Sequence, residues 1–295
     1  MKKWREWAQG YAFISLWLIG FLVFTLVPMV YSFYLSLTEW DFIGEPRFIG
    51  LQNYIDILTK DEAIRKALFN TFYYTVFSVP MRLALALLIA IMLIKPYRGA
   101  KAMRVLFYLP GIISGVAIST VWTKLFDPYY GAINDILSRF GIPAIGWIND
   151  VKWAMPSIIL MNLMYIGTPM VVFIAGLKDI PQQLYEVAKL DGASSFNRFV
   201  HITLPMMSPI LFYNLIMQII QSFQVFTNVY MMTNGGPANS TMVYVLYLYQ
   251  NAFQYLRMGY GSALAWVLFI IILALTLVVF RTSDWVYFEG KEDRK

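Results

Sequence analysis

Apolar residues in this chain neither alternate nor recur as a narrow stripe; they run almost unbroken for two dozen positions at a time. Six such runs cover about 11–36, 70–94, 104–126, 153–176, 207–232 and 259–281. A helix rises about 1.5 Å per residue, so ~20 apolar residues cross a hydrocarbon core of ~30 Å. The pattern predicts an all-α integral membrane protein with six transmembrane helices in a single membrane domain, 1–295. Pro28, Pro80, Pro110, Pro156, Pro169 and Pro209 fall in or near the runs. In water they would break helices; in a bundle neighbours meet the freed carbonyls, so they are read as kinks. Two amphipathic patches between spans, 51–58 and 132–140, read as interfacial helices. The opening Met-Lys-Lys-Trp-Arg imitates a signal peptide. The run behind it is too long for a signal h-region and no small-x-small site ends it, so it is expected to stay as the first span.

Composition agrees with the pattern. Of 295 residues 59% are hydrophobic and 14% charged, whereas a soluble domain is nearer ~25% charged. With no cysteine, disulfides, thiolate metal sites and cysteine nucleophiles drop out together, and no metal or cofactor is expected. The one histidine, His201, is read as an ordinary helix residue. The net charge of +6 could point to nucleic acid, but the basic residues flank the apolar runs, which makes them a topology signal instead. Lys2, Lys3 and Arg5, then Lys95, Arg98, Lys101 and Arg104, then Arg281, Lys291, Arg294 and Lys295 all fall on one side of a six-span chain. That side is expected to be cytoplasmic, with both termini inside. The first, third and fifth connections are mixed or acidic, with Glu39, Asp41, Glu45, Asp56, Asp61, Glu62, Asp127, Asp135 and Asp150, and are expected outside.

Residues 180–205 break the pattern. They form a water-compatible, Gly-interrupted segment between the fourth and fifth spans, which parity places in the cytoplasm. Pro181 suits a first helical turn, with Asp179 upstream near the positive end of the helix dipole. Leu184, Tyr185, Val187 and Ala188 are expected on one side of the first helix, and Gln182, Glu186 and Lys189 on the other. Gly192 supplies a left-handed turn, and Ser194 or Ser195 caps a second helix through Phe196, Phe199 and Val200. On physics alone this elbow could merely join two spans.

Its residues carry a resemblance. Glu186-x-Ala188, Gly192 six residues after the glutamate, and Ile202-x-Leu204-Pro205 are similar to the EAA loop of ABC importer permeases, and Asp191-Gly192-Ala193 resembles the sugar-importer branch. Val187 stands where the family has alanine. Asn70-Thr71, Phe126-Asp-Pro-Tyr-Tyr-Gly131 and Thr233-Asn-Gly-Gly-Pro237 also look like this family. The resemblance implies the type I importer permease fold, in a prokaryotic cytoplasmic (inner) membrane. It implies that the elbow docks on an ATPase, with Glu186 as its ion-pair residue, Ala188 and Ala193 keeping the surface small, and Asp191 and Gly192 at the turn. The implied partners are two copies of an ABC ATPase, a second, homologous permease subunit, an extracytoplasmic solute-binding protein and a sugar or oligosaccharide. The chain has no G-x-x-x-x-G-K-[ST] phosphate loop; its only Gly-Lys pair, Gly290-Lys291, runs on into Glu292. ATP hydrolysis must therefore come from another subunit.

Polar residues within spans mark the candidate path. The fifth run carries Asn214, Gln218, Gln221, Ser222, Gln224 and Asn228, most of them on one expected helical stripe. They suit a ligand made of hydroxyls, or they glue helices together. Asn162, Tyr165, Gly167 and Thr168 around Pro169 add a second polar, broken spot at similar depth. Arg82 stands about a dozen residues from Lys95, near mid-membrane, with no carboxylate inside any span to pair with. Either it bonds carbonyls freed by Pro80, or it faces the path and favours an acidic oligosaccharide. The functional reading is a permease for a sugar or oligosaccharide. The alternatives are a permease for another polar solute such as glycerol phosphate, an integral-membrane enzyme whose clustered acids or histidines are missing, or a passive channel, which needs no elbow.

Overall fold

The computed structural model describes Tyr11 and residues 14–286. Lys2, Lys3, Arg5, Lys291, Arg294 and Lys295, on which the expected orientation partly rests, lie outside the described residues, as does the Gly290-Lys291 pair. Helix α1 (Ile14–Ser36) leads into a two-residue antiparallel ribbon of β1 (Thr38–Glu39) and β2 (Arg47–Phe48) and then α2 (Gln52–Thr59). There follow α3 (Glu62–Leu93), α4 (Ala100–Tyr108), α5 (Gly115–Leu125), α6 (Ala132–Arg139), α7 (Ala154–Asn162), α8 (Gly167–Asp179) and α9 (Gln182–Leu190). Last come α10 (Ser195–Phe223), α11 (Thr227–Met232), α12 (Tyr244–Tyr249) and α13 (Met258–Arg281). Among the described residues, five stretches are long and apolar enough to cross a membrane: α1, α3, α7 with α8, α10 and α13. Ala100–Gly111 and Gly115–Leu125, bent by 96°, make a sixth if they are one span.

Some prolines sit inside continuous helices and others beside a break. Pro80 and Pro209 sit inside continuous helices. Pro209 has no N–H for the Pro205 carbonyl, and the Ser208 hydroxyl donates to that carbonyl instead, at 2.6 Å. Pro110 lies in a 3-10 turn, Leu109–Gly111, ahead of Ser114 and Gly115, and here the expected straight run 104–126 is broken. A missing N–H together with poor helix formers leaves too few hydrogen bonds to carry the helix through. The run 153–176 is interrupted by a second 3-10 turn, Leu163–Ile166, and continues to Asp179. The run 207–232 also ends early: α10 stops at Phe223, and Asn228 belongs to α11. At the other extreme α3 begins at Glu62, eight residues before the apolar run, because Ile64 and Ala67 already face the interior.

Contacts divide the chain, expected as one domain, into two units: residues up to Glu62 with Tyr247–Ile271, and Ala63–Leu246 with the residues from Ile272 onward. Apolar runs reveal spans but not which spans interlock. In the first unit Asn53 Nδ2 donates to the Ser36 and Thr38 carbonyls at 2.9 Å, closing α2 onto the end of α1. Asp61 accepts from the hydroxyls of Tyr247, at 2.6 Å, and Tyr260. Burial and the bond donated to Asp61 push the Tyr247 phenol up to about 12. In the second unit Val79, Leu83, Ala86 and Ala90 of α3 pack with Met170, Phe173 and Ile174 of α8 and Met207 of α10. Asn70 and Thr71 tie α3 to the loop after α11: Asn70 Nδ2 donates to the Asn239 and Met242 carbonyls, and Thr71 Oγ1 accepts from Tyr244 N at 2.9 Å.

Candidate functional site

The two breaks in the second unit meet. Gly167, which opens α8, has the Phe107 carbonyl and Tyr108 Cα of α4 where a side chain would stand, so the backbones touch. Beside this crossing opens a cavity of about 420 Å³. Its walls come from α3 (Tyr74, Arg82), the 111–115 break, the α7–α8 break (Asn162, Tyr165, Thr168), α10 (Gln218, Gln221) and residues 225–228.

A chain of hydrogen bonds runs along the wall. Arg82, only 7% exposed, donates from one terminal nitrogen to Gln218 Oε1 at 2.5 Å and from the other to Asn162 Oδ1 at 3.4 Å. Asn228 Nδ2 reaches the same Asn162 oxygen at 3.5 Å, and Ser119 of α5 donates to Asn228 Oδ1 at 3.1 Å. Asn162 turns its own amide nitrogen to the Ile158 carbonyl at 3.2 Å. Arg82 Nε has no hydrogen-bond partner. Two neutral amides, one from α10 and one from the α7 terminus, thus hold the guanidinium, and α11 and α5 extend the chain behind Asn162. No ion pair among the described residues includes it. A buried guanidinium without a counter-charge is costly, and amides offset only part of that cost. Among the described residues no hydrogen bond joins Arg82 to a carbonyl freed by Pro80; its bonds run to Gln218 and Asn162.

Of the residues proposed for the path, Arg82, Tyr165, Thr168, Gln218 and Gln221 come together on this cavity. Asn214, Ser222 and Gln224 do not. Asn214 bonds the Ile210 carbonyl of its own helix at 2.9 Å. Ser222 donates to Thr75 Oγ1 of α3 at 2.9 Å, a bond between helices. Gln224 caps the end of α10 and is exposed. Asn214 and Ser222 stay within the helix but turn to the partners just named, whereas Asn228, beyond the end of α10, lines the cavity from α11. Tyr74 and the 111–115 backbone were missed: a tyrosine in an aromatic-rich span carries no distinguishing signal. Pro110 with Gly111 was the cue for the break.

The elbow takes the expected helix-turn-helix form. After α9, Gly192 adopts φ +76°, and Ala193 N returns to the Ala188 carbonyl at 2.9 Å. Ser194 Oγ accepts from Asn197 N at 3.2 Å, capping α10. Tyr185 and Thr203 hydroxyls meet at 2.8 Å, bracing the two arms. His201 stays a helix residue, with Nδ1 3.0 Å from the Asn197 carbonyl. The expected apolar side splits in two. Tyr185 and Ala188 are half-buried, while Leu184, Val187, Leu190 and Phe196 stand in the open, Leu190 at 88% exposure and Phe196 at 72%. Glu186, Asp191 and Gly192 are exposed and Ala193 is half-buried. Among the described residues no group of three or more His, Asp or Glu side chains could hold a metal ion.

Residues 59–287 match the family described as the binding-protein-dependent transport system inner membrane component. The chain is 44% identical over 289 residues to the probable ABC transporter permease protein YesP of Bacillus subtilis (strain 168), covering 96% of this chain and 93% of that one. It is 36% identical over 270 residues to the sulfoquinovosyl glycerol transport system permease protein SmoG of Agrobacterium fabrum (strain C58 / ATCC 33970), covering 89% and 86%. A crystal structure of a bacterial ABC transporter involved in the import of the acidic polysaccharide alginate superposes with a TM-score of 0.80 at 24% identity, covering 96% of this chain and 98% of that one. That likeness establishes the shared fold. The chain therefore belongs to the inner-membrane permease components of binding-protein-dependent ABC transport systems: a transport subunit and not an enzyme.

Proposed function

We propose that this permease passes a sugar or oligosaccharide carrying an acidic group into the cell. The observation that carries this reading is Arg82, a buried cation held by Gln218 and Asn162 on the wall of an otherwise uncharged, amide-lined cavity. Amides suit sugar hydroxyls, and the guanidinium suits a carboxylate. Relatives named for sulfoquinovosyl glycerol and for trehalose and maltose transport support a saccharide, and the fold is one in which a neighbour carries an acidic polysaccharide. A binding protein delivers the solute from outside. A second, homologous permease completes the path, and two ATPase subunits drive it. The elbow docks on one ATPase through the open apolar residues Leu190 and Phe196, with Glu186, Ala188, Asp191, Gly192 and Ala193 at the contact. ATP-driven closure of the ATPase pair moves the elbows and swings the spans from inward- to outward-open; no bond in the solute is broken. Both termini and the elbow face the cytoplasm.

The test is uptake into proteoliposomes holding this chain, its second permease, the ATPase and the binding protein. It compares a uronate-bearing oligosaccharide with a neutral one of equal length, for wild type and Arg82→Gln. The acid-to-neutral ratio is expected to fall by about tenfold, the worth of one charge-assisted contact. An unchanged ratio removes the acidic part of the proposal, and failure of the wild type to move any saccharide removes the sugar. Glycerol phosphate in the same assay addresses the other polar solute that a cation could serve.

A further inference from the structure

A second cavity, of about 660 Å³, lies in the same unit beside the end of α3. It is lined by the end of α3 (Ile94, Lys95), the end of α8 (Lys178, Ile180) and the start of α10 (Arg198, Phe199), with α9 adding Glu186 and Lys189. Four cations therefore face one carboxylate. None of these five charges joins an ion pair among the described residues; Arg198 reaches only the Ser195 hydroxyl, at 3.0 Å. Like charges gathered around a hollow raise its positive potential and draw in an anion. The hollow is also half greasy: Ile94, Ile180 and Phe199 line it, and below Lys95 the exposed Leu88 and Met92 continue one stripe down α3.

A free inorganic anion has no use for that apolar wall, whereas an amphiphile uses both halves. We infer that this cavity seats the phosphate headgroup of an anionic phospholipid, with its acyl chains along Leu88 and Met92. Lys95, Lys178, Lys189 and Arg198 surround the phosphate. The bound lipid bridges the span ends to the elbow, independently of the solute that the central cavity passes.

The assembled complex, with its ATPase and second permease, is placed in nanodiscs of equal parts phosphatidylcholine and phosphatidylglycerol, and retained lipid is read by native mass spectrometry. Wild type is expected to retain phosphatidylglycerol in preference. The variant Lys95→Gln/Lys178→Gln/Arg198→Gln is expected to lose about 100-fold of that preference, at roughly fivefold per basic residue near a lipid surface. If this variant does not assemble, Lys95→Gln alone is expected to lose about fivefold and Lys95→Arg to keep the preference. Equal retention of the two lipids by wild type, or full preference in the variants, overturns the site. So does displacement of the lipid by inorganic phosphate alone, which assigns the hollow to a free anion. Retention seen only in the absence of the ATPase overturns it as well, by assigning the hollow to the docking contact.

Discussion

At Gly192 a side chain would meet nothing within 4 Å, yet the residue stands at φ +76°. Gly192→Ala is therefore expected to cost only backbone strain, about 1–2 kcal/mol, read as a small fall in Tm and as ATPase lost from the purified complex. At Gly167 the neighbours are the backbone of Phe107 and Tyr108, which cannot rotate away. Gly167→Ala is expected to cost more, toward the ~3 kcal/mol upper end of overpacking, and to weaken saccharide uptake by prising the two breaks apart. A third residue answers to pH. Bonds donated by Tyr130 N and Tyr129 N to Asp127 Oδ1, both at 2.9 Å, hold that carboxyl below its ordinary value of 3.8. Its contribution is full above the ordinary value and is lost as pH falls through the lowered one. Hydrogen exchange at the Tyr129 and Tyr130 amides should quicken in that acid window, and Asp127→Asn should abolish the change. Arg82 announced itself in the sequence as a lone charge among apolar residues. Its partners did not, because Gln218 lies 136 positions away and only packing chooses among six amides.

Between elements the question left by the sequence was whether the polar residues of α10 conduct or glue, and their hydrogen bonds differ. Ser222 and Thr75 bond across α10 and α3 at 2.9 Å. A double-mutant cycle with Ser222→Ala and Thr75→Ala should therefore show coupling of about 0.6 kcal/mol in thermal unfolding, with the acid-to-neutral uptake ratio unmoved. A changed ratio would put Ser222 back on the path. The spans themselves were legible because ~20 apolar residues leave the chain few options. Their interruptions were half legible: Pro110 with Gly111 marked the bend in the third run. Nothing local separates Pro80 and Pro209, which a continuous helix absorbs, from Pro169 beside a break. What differs is the neighbour, such as the Ser208 hydroxyl that takes the carbonyl Pro209 leaves open.

For the whole molecule, orientation is the property that the sequence supplies and the fold does not. The chain has no cysteine, so single cysteines report without background. Tyr130→Cys, at a residue 93% exposed, is expected to react with a membrane-impermeant maleimide from outside intact cells. Asn197→Cys in the elbow is expected to react only after permeabilisation; the reverse pattern would invert the proposed topology. The division into two units escaped sequence reading because hydropathy is blind to which faces interlock. One helix gives the second unit a mechanical character. From Ser195 at the elbow, α10 runs to Gln218 through a π turn at Phe199–Thr203 and past Pro205 and Pro209, a rod of about 35 Å at ~1.5 Å per residue. Tilting such a rod by roughly 10° about its elbow end carries the far end through about 6 Å, more than the reach of one hydrogen bond. The amide that grips Arg82 thus rides on the same rod as the elbow proposed to dock on the ATPase. Under the proposed cycle, each power stroke would then shift the cation's seat as the spans open outward, so that reception of cargo would be timed by geometry alone, with no separate signal needed.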